Sequence, residues 1–88
     1  MNNINIKSVE SYKELYRDNE ISKRQIEVLL CIKDLGMATN RMIAKHLNWD
    51  INRVTGRVTE LRDKNLVTYA GDYEDTETNR TVNLWKCN

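Results

Sequence analysis

Apolar residues recur at helical spacing through the first two thirds of the chain and give way to alternation only after residue 65. Val9, Tyr12, Leu15 and Tyr16 fall on one side of a helix over about Val9–Arg17, with Ser8 placed as its N-cap. A sharper start follows. Ser22 stands as N-cap with Gln25 three residues on as its capping-box partner, and Ile21 and Ile26 are spaced to staple the entry. That helix carries Ile26, Leu29, Leu30 and Leu35 and should stop at Gly36 in the left-handed C-cap conformation. It is apolar on more than one face, which predicts the central buried helix. After Met37 and Ala38, Thr39 caps a short helix with Met42, Ile43 and Leu47 turned inward, ending at Asn48. Trp49 marks a turn, and Asp50 caps a further helix that Lys64 and Asn65 close. Its stripe is Ile51, Val54, Val58 and Leu61, and Asn52, Arg53, Gly56, Thr59 and Glu60 fall opposite.

Two capped helices separated by three or four residues must cross sharply, which is the geometry of a helix-turn-helix. From Leu66 the period changes. Leu66–Ala70 and Thr81–Cys87 are β-branched and aromatic runs, separated by GDYEDTETNR, and predict a two-stranded hairpin with a long acidic tip. The order helix, helix, helix, helix, strand, strand resembles the winged helix-turn-helix family over about Ile21–Cys87. The expected fold is therefore mainly α with a small β-hairpin: a three-helix core, an extra N-terminal helix and a two-stranded wing. Residues 1–20 form the N-terminal extension and residues 21–88 the winged domain. The resemblance implies a small sequence-specific binder of double-stranded DNA, a transcriptional regulator of the kind found in prokaryotes and their phages, with helix 50–64 in the major groove.

Composition narrows the alternatives. With 88 residues the chain makes one domain of modest core, for which help from a second subunit is reasonable. The net charge of +1 is small for a nucleic-acid binder, but its distribution is uneven. Residues 39–64 hold six Lys/Arg against three Asp/Glu, whereas residues 65–88 hold two against four. The positive charge sits on the helix-turn-helix, where a local patch suffices for phosphate contact. No apolar run is long enough to span a bilayer, and MNNINIKSVE lacks the apolar stretch of a signal peptide, so a cytoplasmic protein without membrane contact is expected. Cys31, Cys87 and His46 have no metal-ligand spacing, and the two cysteines are expected as reduced thiols. No nucleophile-base pair, carboxylate pair or phosphate loop is present, so neither an enzyme nor a cofactor site is expected.

The candidate base contacts are Asn52, Arg53, Gly56 and Arg57. An arginine fork matches guanine O6 and N7, and an asparagine amide matches adenine. Equally, both arginines could be solvated surface side chains. Gly56 interrupts a helix at a cost of about 1 kcal/mol relative to alanine; either it lets the backbone approach a groove closely or the helix simply tolerates it. Thr39, Arg41, Lys45, Arg62, Lys64 and Arg80 are the candidate phosphate contacts, which position without specifying sequence. The wing carries Asp72, Glu74, Asp75 and Glu77 against Arg80 alone, so it either tilts away from DNA, leaving Arg80 as its contact, or serves a protein partner. A winged protein-interaction module in a replication or regulatory complex is thus the alternative function. Val9, Tyr12 and Tyr16 are candidates for a homodimer interface. Ile51-Asn52-Arg53-Val54 together with Leu84-Trp85-Lys86 also resembles the winged domains of RNA-editing adenosine deaminases that bind Z-form nucleic acid. That likeness implies binding-surface roles for Asn52, Arg53 and Trp85. The chain departs from it at Gly56, where a tyrosine is expected, and at Val82-Asn83, where paired prolines are expected.

Overall fold

The computed structural model describes Glu14, Tyr16 and residues 20–88. Three helices, α1 (Lys23–Leu35), α2 (Asn40–Leu47) and α3 (Ile51–Asp63), precede an antiparallel hairpin of β1 (Val67–Asp75) and β2 (Arg80–Cys87). Of the helix expected over Val9–Arg17, only Glu14 and Tyr16 are described; both are helical, and Tyr16 is 48% exposed. Val9 and Tyr12 lie outside the described residues.

The caps act where the sequence places them. The Ser22 hydroxyl accepts from the Gln25 N–H at 3.1 Å, and the Gln25 side-chain Oε1 accepts from the Ser22 N–H at 3.0 Å, closing the capping box at the start of α1. Thr39 and Asp50 accept from the N–H groups of Met42 and Asn52 to begin α2 and α3. Asn48 and Asn65 end these two helices at φ 58° and 61°, a left-handed conformation that asparagine adopts more readily than other side-chain-bearing residues.

α1 is central, with Val28, Leu29 and Ile32 fully buried against Ile43 of α2 and Val54, Val58 and Leu61 of α3. Burial of each such side chain contributes about 1.5–3 kcal/mol, which is the main favourable term in a domain of this size. Two expected core positions depart from the pattern. Leu35, in the last turn of α1, is exposed beside Met37, and Ile51, in the first turn of α3, is 39% exposed. Terminal turns extend past their packing partners, so a stripe drawn through the whole helix overstates what is buried.

Gly36 takes φ 85° and ψ −61°, a glycine conformation outside the left-handed helical basin expected of it. The chain then swings across the sheet. The Ala38 N–H donates to the Trp85 carbonyl at 2.9 Å and the Trp85 N–H donates to the Ala38 carbonyl at 2.8 Å, so the α1–α2 connection adds a third strand segment beside β2.

The hairpin is longer, and its loop shorter, than the sequence suggests. β1 continues past Ala70 to Asp75, with an irregularity between Tyr69 and Gly71 where Gly71 adopts φ 129°, and the loop is only Thr76–Asn79. The acidic stretch Asp72–Asp75 reads poorly as a strand by propensity. It pairs because its cross-strand partners are Asn83, Val82, Thr81 and Arg80, none of them acidic.

Candidate nucleic-acid interface

The helix-turn-helix is held tightly at its turn. The Trp49 N–H donates to the Ala44 carbonyl at 2.9 Å, and the Trp49 ring is approached by two guanidinium groups, Arg24 at 5.6 Å and Arg53 at 5.7 Å from its centroid. Arg24, at the start of α1, was not among the sequence candidates. It brings a second cation to the base of α3 and pairs as well with Glu27 at 3.0 Å. Arg53 is exposed and leans toward this flank of the helix, away from the line directly opposite the core.

Arg57 is committed more firmly. Its Nε and Nη2 donate to the two Glu60 carboxylate oxygens at 2.7 and 2.8 Å, and Gln25 Nε2 donates to the same carboxylate at 2.8 Å. A fork-to-fork pair of this kind has specific geometry and added strength. The Arg57 hydrogen bonds, then that of Gln25, hold the Glu60 carboxyl below its usual range. Gln25 thus serves two ends: it completes the α1 cap and joins α1 to α3 through Glu60.

With Arg53 and Arg57 on one flank, the outward line of α3 consists of Asn52, Gly56 and Thr59, joined by Ile51 and Thr55. Asn52, Thr55 and Thr59 are exposed, and a Cβ placed on Gly56 would meet nothing within 4 Å. No neighbour within the described residues therefore demands glycine at 56.

The candidate phosphate contacts divide into four groups. Thr39 is buried and occupied as the α2 cap. Arg41 and Lys45 of α2 face the wing, where Arg41 pairs with Asp75 at 3.0 Å and Lys45 with Glu77 at 2.5 Å. Asp75 is buried; the Glu77 backbone N–H first, and the Arg41 and Thr78 side chains after it, keep its carboxyl ionised below the usual range. Two of the four wing acids are therefore neutralised by α2, and a third, Asp72, accepts from the Tyr69 hydroxyl at 2.5 Å, which raises the phenol's pKa. The bare acidic tip expected from the sequence is instead folded against basic residues of the helix-turn-helix. Arg62 lies over the Trp85 ring at 4.7 Å, and Lys64 donates to the Glu20 carbonyl at 2.5 Å. Arg80 is exposed at the loop end of β2, opposite Asp75 in the register, with no ion-pair partner among the described residues.

Trp85 differs from the surface role implied by the Z-form likeness. It is only 5% exposed, and its indole N–H donates to Asn40 Oδ1 at 3.0 Å, while Tyr69 meets its ring edge-on at a centroid distance of 6.4 Å. Asn40 also donates to the Thr55 hydroxyl at 3.3 Å and so bridges the wing, α2 and α3. Its position directly after a threonine cap, where a second capping residue is redundant, was the one available signal for it. Cys31 is buried, and burial followed by the nearby Asp34 charge pushes its thiol up to about 11. The Cys87 thiol donates to the Leu29 carbonyl at 3.5 Å. Among the described residues no helix is long and apolar enough to cross a membrane, and no group of His, Cys, Asp or Glu is assembled to hold a metal ion.

Solved structures share this arrangement. A possible transcriptional regulator from Methanosarcina mazei Go1 superimposes with a TM-score of 0.68 at 14% identity, over 89% of this chain and 65% of that one. A mutant MarR from E. coli gives 0.65 at 20% identity over 97% and 66%, and the adhesin competence repressor from Streptococcus pyogenes gives 0.59 at 20% over 93% and 57%. The chain spans less than two thirds of each of these proteins. No curated protein matches it significantly. The sequence profile of the MarR family matches residues 21–75, more than half of the chain, from the residue before the α1 cap to the end of β1. With the capped helix-turn-helix and the hairpin wing in place around that match, the chain belongs to the MarR family.

Proposed function

We propose that this protein binds double-stranded DNA sequence-specifically and regulates transcription, placing α3 in the major groove. The observation that carries the proposal is the outward face of α3: a long, well-capped helix, anchored by Val54, Val58 and Leu61, whose opposite side is exposed apart from the Asn40–Thr55 hydrogen bond at its edge. Arg24 and Arg53 at one edge of that face and Arg80 at the wing supply cations suited to flanking phosphates. Family membership and the regulators among the structural neighbours favour the same function. No catalytic role is proposed. The ion pairs of Asp75 and Glu77 leave less free charge on the wing for a protein partner than the sequence suggests.

The chain is proposed to act as a homodimer on a site of matching two-fold symmetry. Tyr16 is exposed, as an interface residue in a single copy would be. Solution mass of the wild type and of a Tyr12→Ser, Tyr16→Ser variant checks this: a dimer that the substitutions convert to monomer is expected, and a monomeric wild type would refute it.

Titration of duplex DNA across a salt series tests the main proposal. Contacts to about four to six phosphates give a steep log–log slope of about −4 to −5, and an Arg53→Ala, Arg57→Ala variant should bind more weakly. A wild-type protein that binds no duplex at low salt would refute it.

A further inference from the structure

The face that α3 presents is nearly free of charge at its centre. Ile51, Asn52, Thr55 and Thr59 are exposed there, and Gly56 leaves open space among them. The two arginines that could read guanine are drawn to one flank, Arg53 beside the Trp49 ring and Arg57 in its two-point bond with Glu60. For Arg57 to reach a guanine it would have to give up both hydrogen bonds and leave Glu60 to Gln25 alone.

The remaining groups have a base preference of their own. An asparagine amide pairs with adenine N6 and N7, and threonine or aliphatic methyl groups pack on the 5-methyl of thymine. The threonine hydroxyls are already committed to the helix. Thr55 Oγ1 donates to the Ile51 carbonyl at 3.0 Å and accepts from Asn40, and Thr59 Oγ1 donates to the Thr55 carbonyl at 3.0 Å. With both hydroxyl hydrogens turned to backbone, neither side chain keeps a donor for a base, and the methyl groups are their main contribution in a groove. Gly56, lacking a side chain in their midst, permits the close approach that methyl contact needs.

Building on the DNA-binding proposal, we infer that the base pairs facing α3 are A·T-rich, with Asn52 taking adenine and the methyl groups of Ile51, Thr55 and Thr59 reading thymine. Specificity then comes from shape and methyl contact at the centre of the helix, and the arginines supply affinity at its edge.

The 88-residue chain can be used to select sites from a random duplex library at low salt. Each thymine of the enriched core is then replaced by uracil, which removes only the 5-methyl. An A·T-rich core is expected, with about a fourfold loss of affinity for each contacted methyl removed. Thr55→Ser or Thr59→Ser, which keeps the hydroxyl and deletes the methyl, should abolish sensitivity at one of those positions. A G·C core that depends on Arg57, indifference to uracil throughout, or binding without enrichment would each overturn the inference while leaving DNA binding intact. Failure to bind any duplex would instead remove the underlying proposal and the inference with it.

Discussion

Replacing Asn40 by alanine should destabilise the domain well beyond the loss of an ordinary surface amide. The Trp85 indole N–H is buried and donates to Asn40 Oδ1 at 3.0 Å. Without that acceptor the N–H is left unsatisfied, at a cost of about 1–3 kcal/mol. Thr55 loses little, because its hydroxyl keeps its bond to the Ile51 carbonyl at 3.0 Å. Alanine's better helix propensity returns at most about 0.7 kcal/mol. The expected net loss is about 1.5 kcal/mol, which lowers Tm by roughly 6–12 °C in a domain of this size. Urea unfolding followed by circular dichroism at 222 nm measures it. In a cycle with Trp85→Phe, which removes the donor as well, the two effects should fall short of additivity by about 1 kcal/mol. Additive losses, or an Asn40→Ala cost below about 0.5 kcal/mol, would refute the bridging role given to Asn40.

Three further outcomes are expected. Gly56→Ala should raise stability by about 0.5–1 kcal/mol, since the new Cβ meets nothing within 4 Å and alanine is the better helix former; the same substitution should weaken DNA binding, and a thermal melt beside a binding titration reads both. The thiol of Cys31 lies at about 11 when folded against an ordinary value of 9.0, so its contribution to stability is complete below about pH 9 and is lost as pH rises toward 11; at pH 8, iodoacetamide followed by mass spectrometry should modify Cys87 well before Cys31. Asp75 and Glu60 titrate below the usual carboxylate range when folded, so the stability they contribute is present above about pH 4 and is lost as pH falls through their lowered values. Acid unfolding of Asp75→Asn should accordingly depend less on pH than that of the wild type.

Much of the architecture was legible because the signals were local. Ser22 with Gln25, Thr39, Asp50, Asn48 and Asn65 mark helix ends by hydrogen bonds to residues within a few positions, and each acts where its neighbours in sequence require. What sequence could not show were pairings made across the fold. The acids of the wing read as a repelling tip because their cations, Arg41 and Lys45, stand more than 30 residues away. Arg57 read as a guanine fork or a solvated side chain although Glu60 lay one turn ahead; the i,i+3 spacing allowed the pair, and Gln25 reaching in from α1 adds the bond that no local pattern shows. Trp85, to which the Z-form likeness gives a surface role, packs inside instead, and its partner Asn40 stands 45 residues away, signalled in the sequence only by its redundant place after the Thr39 cap. Strand β1 outruns its local propensity because Asp72–Asp75, poor strand formers by themselves, meet an opposing strand that accepts them.

The exchange of backbone hydrogen bonds between Ala38 and Trp85 has a consequence for how the protein is made. A ribosome delivers all three helices before the residue that completes their enclosure has left it. Until Trp85 emerges, the α1–α2 connection has an open edge, and the core against which Val67 and Trp85 close remains accessible to solvent and to other nascent chains. Folding cannot finish progressively from the N-terminus; it waits until β2 has been made, and a chain cut short before residue 85 would be delivered to the cell's proteases without the last three residues of β2 and without a closed core.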